Sequence, residues 1–465
     1  MLVGARLTGA WCFRHRRPHC AKAKLTFSSS SESKVLHSID DEYDGDFLPW
    51  LERKAGVEIL SVLSIGKSVY GRSLFASEKL RTGDCILKVP YAAQLTPDNL
   101  HPKIKSLLDD EISNVAKLAI VILFEQKMGK DSEWAPYISR LPQLEEMHNT
   151  IFWSKDELDL ICPSSLFEET VTKKDQIESE FLVTKPALEC FPEVFDHIKL
   201  KDFMHAYALV ESRAWRSTKG ESLVSYYKNA IYFLNHDGLS EAVVLHDEDK
   251  QLSEVIADRD YAPKEEVWIT YGKFSNSTLL LDFGFSLPYN SHDEVQIQIK
   301  VPDHDPLLEV KLEVLQSHCL PRARDVNGFK SSNDSFTIKE VRSARGRGKG
   351  LPQSLRAFAR VLCCTSPQEL CDLATEAAQN DGRLARRPFR NSCQEILAHQ
   401  ILLSHIIQLT KEYSASIELL EPVTSPSICK RLAFRKQMAR DLLIGELRIL
   451  KSASAWLENY CATLA

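Results

Sequence analysis

Two β-rich stretches, 61–90 and 243–271, stand on either side of a mostly helical block at 96–205. That order constrains the fold more than composition does: the block reads as an insertion into one β-rich unit. In the first stretch, Val62-Leu63-Ser64-Ile65, Ser73-Leu74-Phe75-Ala76 and Cys85-Ile86-Leu87-Lys88-Val89-Pro90 are short apolar runs. Gly66, Gly71 and Gly83 break them, which indicates strands joined by tight turns. Within the block, 115–128 carries apolar residues at helical spacing with Gly129 just past its end, and 153–162 and 165–182 resume helical patterns.

Beyond residue 300 the chain is chiefly helical. Ser366-Pro367-Gln368-Glu369 is a capping box with proline at the first helical position, and 393–413 and 427–461 are long amphipathic patterns. Arg345-Gly346-Arg347-Gly348-Lys349-Gly350 lacks the Ser/Thr and the spacing of a phosphate-binding loop. It is expected to be a flexible basic connector between helices.

The net charge of -6 argues against a general nucleic-acid binder, and no apolar window is long enough to span a membrane. The 12 cysteines include no Cys-x-x-Cys pair, so reduced structural thiols and no metal are expected. Residues 1–31 hold Arg6, Arg14, Arg16, Arg17, Lys22 and Lys24, no acid, and end in a serine run. That composition reads as a transit peptide for a chloroplast or mitochondrion, or else as a basic tail of a cytoplasmic or nuclear protein.

Four motifs follow in order: Tyr70-Gly71-Arg72-Ser73-Leu74-Phe75-Ala76, Glu211-Ser212-Arg213-Ala214-Trp215, Asn235-His236-Asp237 and Ile269-Thr270-Tyr271-Gly272. Together with Trp134, Pro136, Tyr137 and Leu141-Pro142, they resemble the SET-domain methyltransferases, specifically the plant Rubisco large-subunit methyltransferase group. The resemblance implies an α+β fold, in which a split β-rich SET domain holds a helical insert and an all-α substrate-binding domain follows. On that pattern 1–45 is transit peptide and linker, 46–95 and 206–290 are the two SET parts, 96–205 is the insert and 291–465 is the substrate-binding domain.

The resemblance further implies a protein-lysine N-methyltransferase that uses S-adenosyl-L-methionine and acts on a protein substrate; no nucleic-acid or membrane partner is expected, and the oligomeric state is open, with a monomer favoured. A histidine methyltransferase and a degenerate SET scaffold are the alternatives. Gly71, Arg72 and Ser73 would approach the cofactor through main chain, Arg213 would pair with its carboxylate and Asn235 would bond its amino-acid end. Main chain around His236 would hold the adenine. Tyr271 would carry the chemistry, and Ser212, Tyr232 and Phe283 would line the lysine site. Phe283 stands where the Rubisco enzymes have a second active-site tyrosine, which bears on the number of methyls added.

Overall fold

The computed structural model describes residues 47–56, 62–68, 71–109, 111–218, 225–229, 234–247, 249–318, 334–379, 384, 387–420 and 430–465, with backbone alone at 215–218 and 225–229. The first helix, α1 (Leu48–Ala55), leads into an antiparallel hairpin of β1 (Leu63–Ser68) and β2 (Gly71–Ala76), with Ser68 opposite Gly71. Gly71 has φ +102, a conformation that a Cβ would strain, so glycine is the residue the turn requires.

The insertion is visible in the strand pairing. Strand β3 (Cys85–Pro90) precedes the helical block and pairs with β8 (Leu252–Ile256) after it, while β7 (Val244–Asp247) lies on the far side of β8. The block therefore leaves and re-enters one sheet. Its central helix, α2 (Asn114–Met128), is buried at Val115, Ala116 and every position from Leu118 to Leu123, so it runs through the interior instead of along the surface. Ser113 caps it by accepting from the Ala116 amide at 3.1 Å, and Gly129 follows its last residue. Helix α3 (Leu166–Glu189) and helix α4 (Leu200–Glu211) complete the block; α4 buries Phe203, Ala206, Tyr207, Leu209 and Val210 and ends at the site described below.

After the block come the hairpin of β4 (Ala214–Thr218) and β5 (Ser225–Asn229), and then a two-residue parallel pair, β6 (Asn235–His236) with β9 (Trp268–Ile269). Val267 and Ile269 are fully buried. Burying such side chains is worth about 1.5–3 kcal/mol each, which holds β9 in register.

The C-terminal region is helical through α5 (Leu308–His318), α6 (Gln353–Cys363), α7 (Pro367–Gln379), α8 (Ser392–Leu419) and α9 (Lys430–Leu464). It also holds one antiparallel strand pair, β10 (Glu294–Gln298) with β11 (Ser335–Lys339). The capping box forms: Ser366 Oγ accepts from the Glu369 amide, and the Glu369 carboxylate accepts from the Ser366 amide, both at 3.3 Å. Arg345–Gly350 joins a strand, β11, to α6 instead of joining two helices, and it is tied to α9 by hydrogen bonds, as detailed below.

Two buried polar clusters bind α9 to the rest. Arg435, 1% exposed, donates to Glu157 at 2.6 Å and to the carbonyls of Phe152 and Met147. Glu446 accepts from Ser164, Ser277 and Tyr413 at 2.9, 3.0 and 2.7 Å, so one carboxyl joins the insert, the segment after β9, α8 and α9. Burial pushes the Glu446 carboxyl up to about 8. Among the described residues no helix is long and apolar enough to cross a membrane.

Candidate functional site

Helix α4 delivers the first group. Its last turn puts Ser212 Oγ on the Ala208 carbonyl at 2.7 Å, and the Arg213 guanidinium reaches back to Ser212 Oγ. Among the described residues Arg213 has no carboxylate partner. Burial lowers its guanidinium below the usual value, opposed by the Tyr137 and Tyr271 hydroxyls and, more weakly, by the Glu146 carboxylate, which is not in ion-pair contact. A desolvated cation without an anion is costly, and a bound carboxylate offsets that cost.

Strand β6 delivers the second. The Asn235 side-chain amide donates to the Arg72 carbonyl at 3.3 Å and to Glu266 at 3.1 Å. Both partners accept, which leaves the Asn235 side-chain carbonyl pointing elsewhere and free to accept. Arg72 itself donates to the Arg140 carbonyl at 2.7 Å, and Ser73 beside it is fully buried. The turn at Gly71, the Asn235 amide and Arg213 thus converge, and an unpaired guanidinium with a free amide oxygen is a donor and acceptor set that can hold an amino-acid zwitterion.

The third group is aromatic. The Tyr271 amide donates to Nδ1 of His236 at 3.0 Å, and the Tyr271 hydroxyl donates to the Leu234 carbonyl at 2.8 Å. Burial pushes this phenol up to about 12, so it stays protonated. Burial also holds the His236 imidazole down at about 4, hence neutral. Phe283 ends a π-turn (Leu279–Phe283) and stacks on Tyr271 with centroids 5.1 Å apart, while Phe274 and Phe285 pack against Phe283 at 5.7 and 6.3 Å. Tyr271 therefore presents one hydroxyl at the edge of an otherwise apolar wall.

The structure brings Arg72, Ser212, Arg213, Asn235, His236, Tyr271 and Phe283 into one neighbourhood with Gly71 and Ser73 on the adjoining strand. Tyr232 lies outside the described residues.

Two groups escape sequence reasoning. Glu266, 4% exposed, sits in Lys264-Glu265-Glu266, which reads as a solvated charge run; its position one pleat away from Val267 and Ile269 is the only signal. The second is a charged cluster next to the site residues in sequence, in which Lys173 of α3 bonds Glu211 and lies 3.9 Å from Asp282. Burial pushes the Glu211 carboxyl up to about 7 against the pull of Lys173. Its members come from three distant segments and adjoin Ser212 and Phe283.

The family model described as SET domain matches residues 71–272, and the one described as Rubisco LSMT substrate-binding matches 302–450. The chloroplastic Rubisco large-subunit N-methyltransferase of Pisum sativum is 26% identical over 58% of this chain and 57% of its own length. The chloroplastic [fructose-bisphosphate aldolase]-lysine N-methyltransferase of Arabidopsis thaliana is 24% identical over 94% of this chain and 86% of its own. Actin-histidine N-methyltransferase of Homo sapiens is 24% identical over 89% of this chain and 68% of its own. Among solved structures, the SET domain of LSMT bound to lysine and AdoHcy superposes with TM-score 0.69 at 21% identity, covering 92% of this chain and 93% of that one. Rubisco LSMT bound to AdoMet gives 0.66 at 20%, with the same coverage.

Proposed function

As a chain that carries a SET domain followed by a Rubisco LSMT substrate-binding domain, it is, we propose, an enzyme that transfers a methyl group from S-adenosyl-L-methionine to the amine of a lysine on a protein substrate. The observation that carries the reading is Arg213, a desolvated guanidinium with no carboxylate in ion-pair contact among the described residues, close to the Tyr271 hydroxyl.

The cofactor supplies an electrophilic methyl on a cationic sulfonium, so the protein's work is chiefly alignment for an in-line displacement. Arg213 would pair with its carboxylate, and the free Asn235 carbonyl would accept from its ammonium. Main chain at Gly71, Arg72 and Ser73, and around His236, would hold the rest of it. Tyr271, fixed as a donor to the Leu234 carbonyl, uses its hydroxyl lone pair to orient the lysine amine. That amine must be neutral to attack, and an apolar wall of Phe283, Phe274 and Phe285 disfavours the ammonium form. The carbonyls of Ser212 and Tyr232 receive its hydrogens.

The names of the pea and Arabidopsis relatives support a plastid setting, which a fluorescent fusion to the first forty or so residues tests. Similarity to an actin-histidine enzyme keeps the nitrogen open to measurement. The test is transfer of labelled methyl from S-adenosylmethionine into proteins of a plant extract, followed by mass spectrometry of the labelled band. Methyl-lysine supports the reading; methyl-histidine, or a protein that binds the cofactor but labels nothing, overturns it.

A further inference from the structure

The loop between β11 and α6 exposes four cations in quick succession, Arg342, Arg345, Arg347 and Lys349. Among the described residues none of the four has an ion-pair partner. The four cations do not hold the loop in place; its backbone, with the buried Val341 side chain, does. The Gly346 carbonyl accepts from Trp456 Nε1 at 2.8 Å, and the Ala344 carbonyl accepts from Asn459 at 3.0 Å. The Val341 amide donates to Ser452 Oγ at 3.0 Å, and the Gly350 carbonyl accepts from the Lys339 amide at 2.9 Å. Trp456, Asn459 and Ser452 all belong to α9.

The alternation of the sequence follows from this anchoring. Gly348 is buried with φ +67, and a Cβ there would come within 2.6 Å of the Trp456 ring; at Gly350 it would come within 2.5 Å of the Lys339 carbonyl. Glycine stands where the backbone touches the domain, and a cation stands where it faces water. Arg356 adds a further positive charge, with its guanidinium 5.1 Å from the same Trp456 ring and bonded to His399 instead of to a carboxylate.

Gathering like charges in one short exposed loop is self-repulsive. The chain as a whole is acidic, at -6, so the patch stands out against its background.

We propose that this loop is an electrostatic docking point for an acidic segment of the protein substrate. The substrate part of this inference rests on the methyltransferase reading above. A protein segment fits better than nucleic acid, because a long polyanion would also meet the acidic remainder of the chain, whereas a short acidic stretch meets only the loop.

The test uses the full chain and a fluorescein-labelled decaglutamate peptide, followed by anisotropy at about 50 mM and about 200 mM salt. Arg345→Gln/Arg347→Gln/Lys349→Gln leaves the glycines and their contacts in place. The expected result is binding that weakens with salt and roughly tenfold loss in the variant, with an unchanged melting temperature. Equal affinity of variant and wild type overturns the proposal, as does a duplex DNA of similar charge that binds more tightly than the peptide and depends more on these residues. Calorimetry with S-adenosylmethionine separates the two readings. A wild type that binds decaglutamate but no cofactor overturns the methyltransferase reading and not the docking loop.

Discussion

The Tyr271 backbone amide donates to Nδ1 of His236 at 3.0 Å, and in the same place β6 and β9 run parallel with His236 opposite Ile269. Two motifs 35 residues apart are thereby one element. The bond requires Nδ1 to carry a lone pair, so the imidazole works here as a neutral acceptor that sets the height of the Tyr271 ring.

His236 therefore gives the fold a definite pH dependence. Burial takes its pKa from the ordinary histidine value of 6.5 down to about 4. Between those values the unfolded chain binds a proton that the folded chain refuses, so this stabilisation is present above 6.5 and is lost as pH falls towards 4. His236→Asn should lower the melting temperature at pH 7 and narrow the gap to wild type at pH 5. A gap that widens on acidification would contradict the assignment.

Tyr271→Phe keeps the stack on Phe283 and the amide bond to His236 and removes only the hydroxyl. Cofactor affinity should change less than about threefold, while methyl transfer falls at least about a hundredfold. Because burial holds the phenol near 12, the rise of wild-type activity between pH 7 and pH 9 should reflect the substrate amine and not ionisation of Tyr271.

Phe283 faces Tyr271 at 5.1 Å without a polar atom. Phe283→Tyr adds a hydroxyl that can bond the amine or hold a water in the space a further methyl needs. Mass spectrometry of products at long times should show a shift towards fewer methyl groups, with the first transfer retained. An unchanged distribution would remove Phe283 from the account of methyl number.

Glu446 tests the junction with the C-terminal helices. Its folded value of about 8 lies above the ordinary glutamate value of 4.5. As pH rises through that window the unfolded chain releases a proton the folded chain keeps, so stability falls from 4.5 to about 8. Glu446→Gln cannot ionise and can still bond Ser164, Ser277 and Tyr413. Its melting temperature relative to wild type should climb with pH across this range, read by calorimetry at pH 5 and pH 8.

Much of this was legible in the residues. Cys85–Pro90 is bounded by Gly83 and Pro90 and reads directly as a strand, and α2 stops at Gly129 as its sequence says. The ordered motifs named Gly71, Arg213, Asn235, His236 and Tyr271, which the fold gathers. Other parts were hidden for physical reasons. Strands β6 and β9 are two residues each, too short for any periodicity. Glu266 and the Lys173–Glu211–Asp282 cluster look like ordinary surface charge until tertiary contacts bury them. Strands β10 and β11 alternate cleanly, with Val295, Ile297, Phe336 and Ile338 inward, yet they lie inside a region whose longer patterns are helical. The basic Arg345–Gly350 run gave no sign of its anchor, because Trp456 and Asn459 stand more than a hundred residues away.

The most direct test of the site is calorimetry of S-adenosylmethionine binding to wild type and Arg213→Ala. If Arg213 awaits a ligand carboxylate, losing that charge-assisted bond costs about 1.5–3 kcal/mol. Affinity then falls roughly ten- to a hundredfold, while the ligand-free melting temperature holds or rises, since an uncompensated buried charge has been removed. Unchanged cofactor affinity together with a lowered melting temperature would make Arg213 a structural ion and contradict the account.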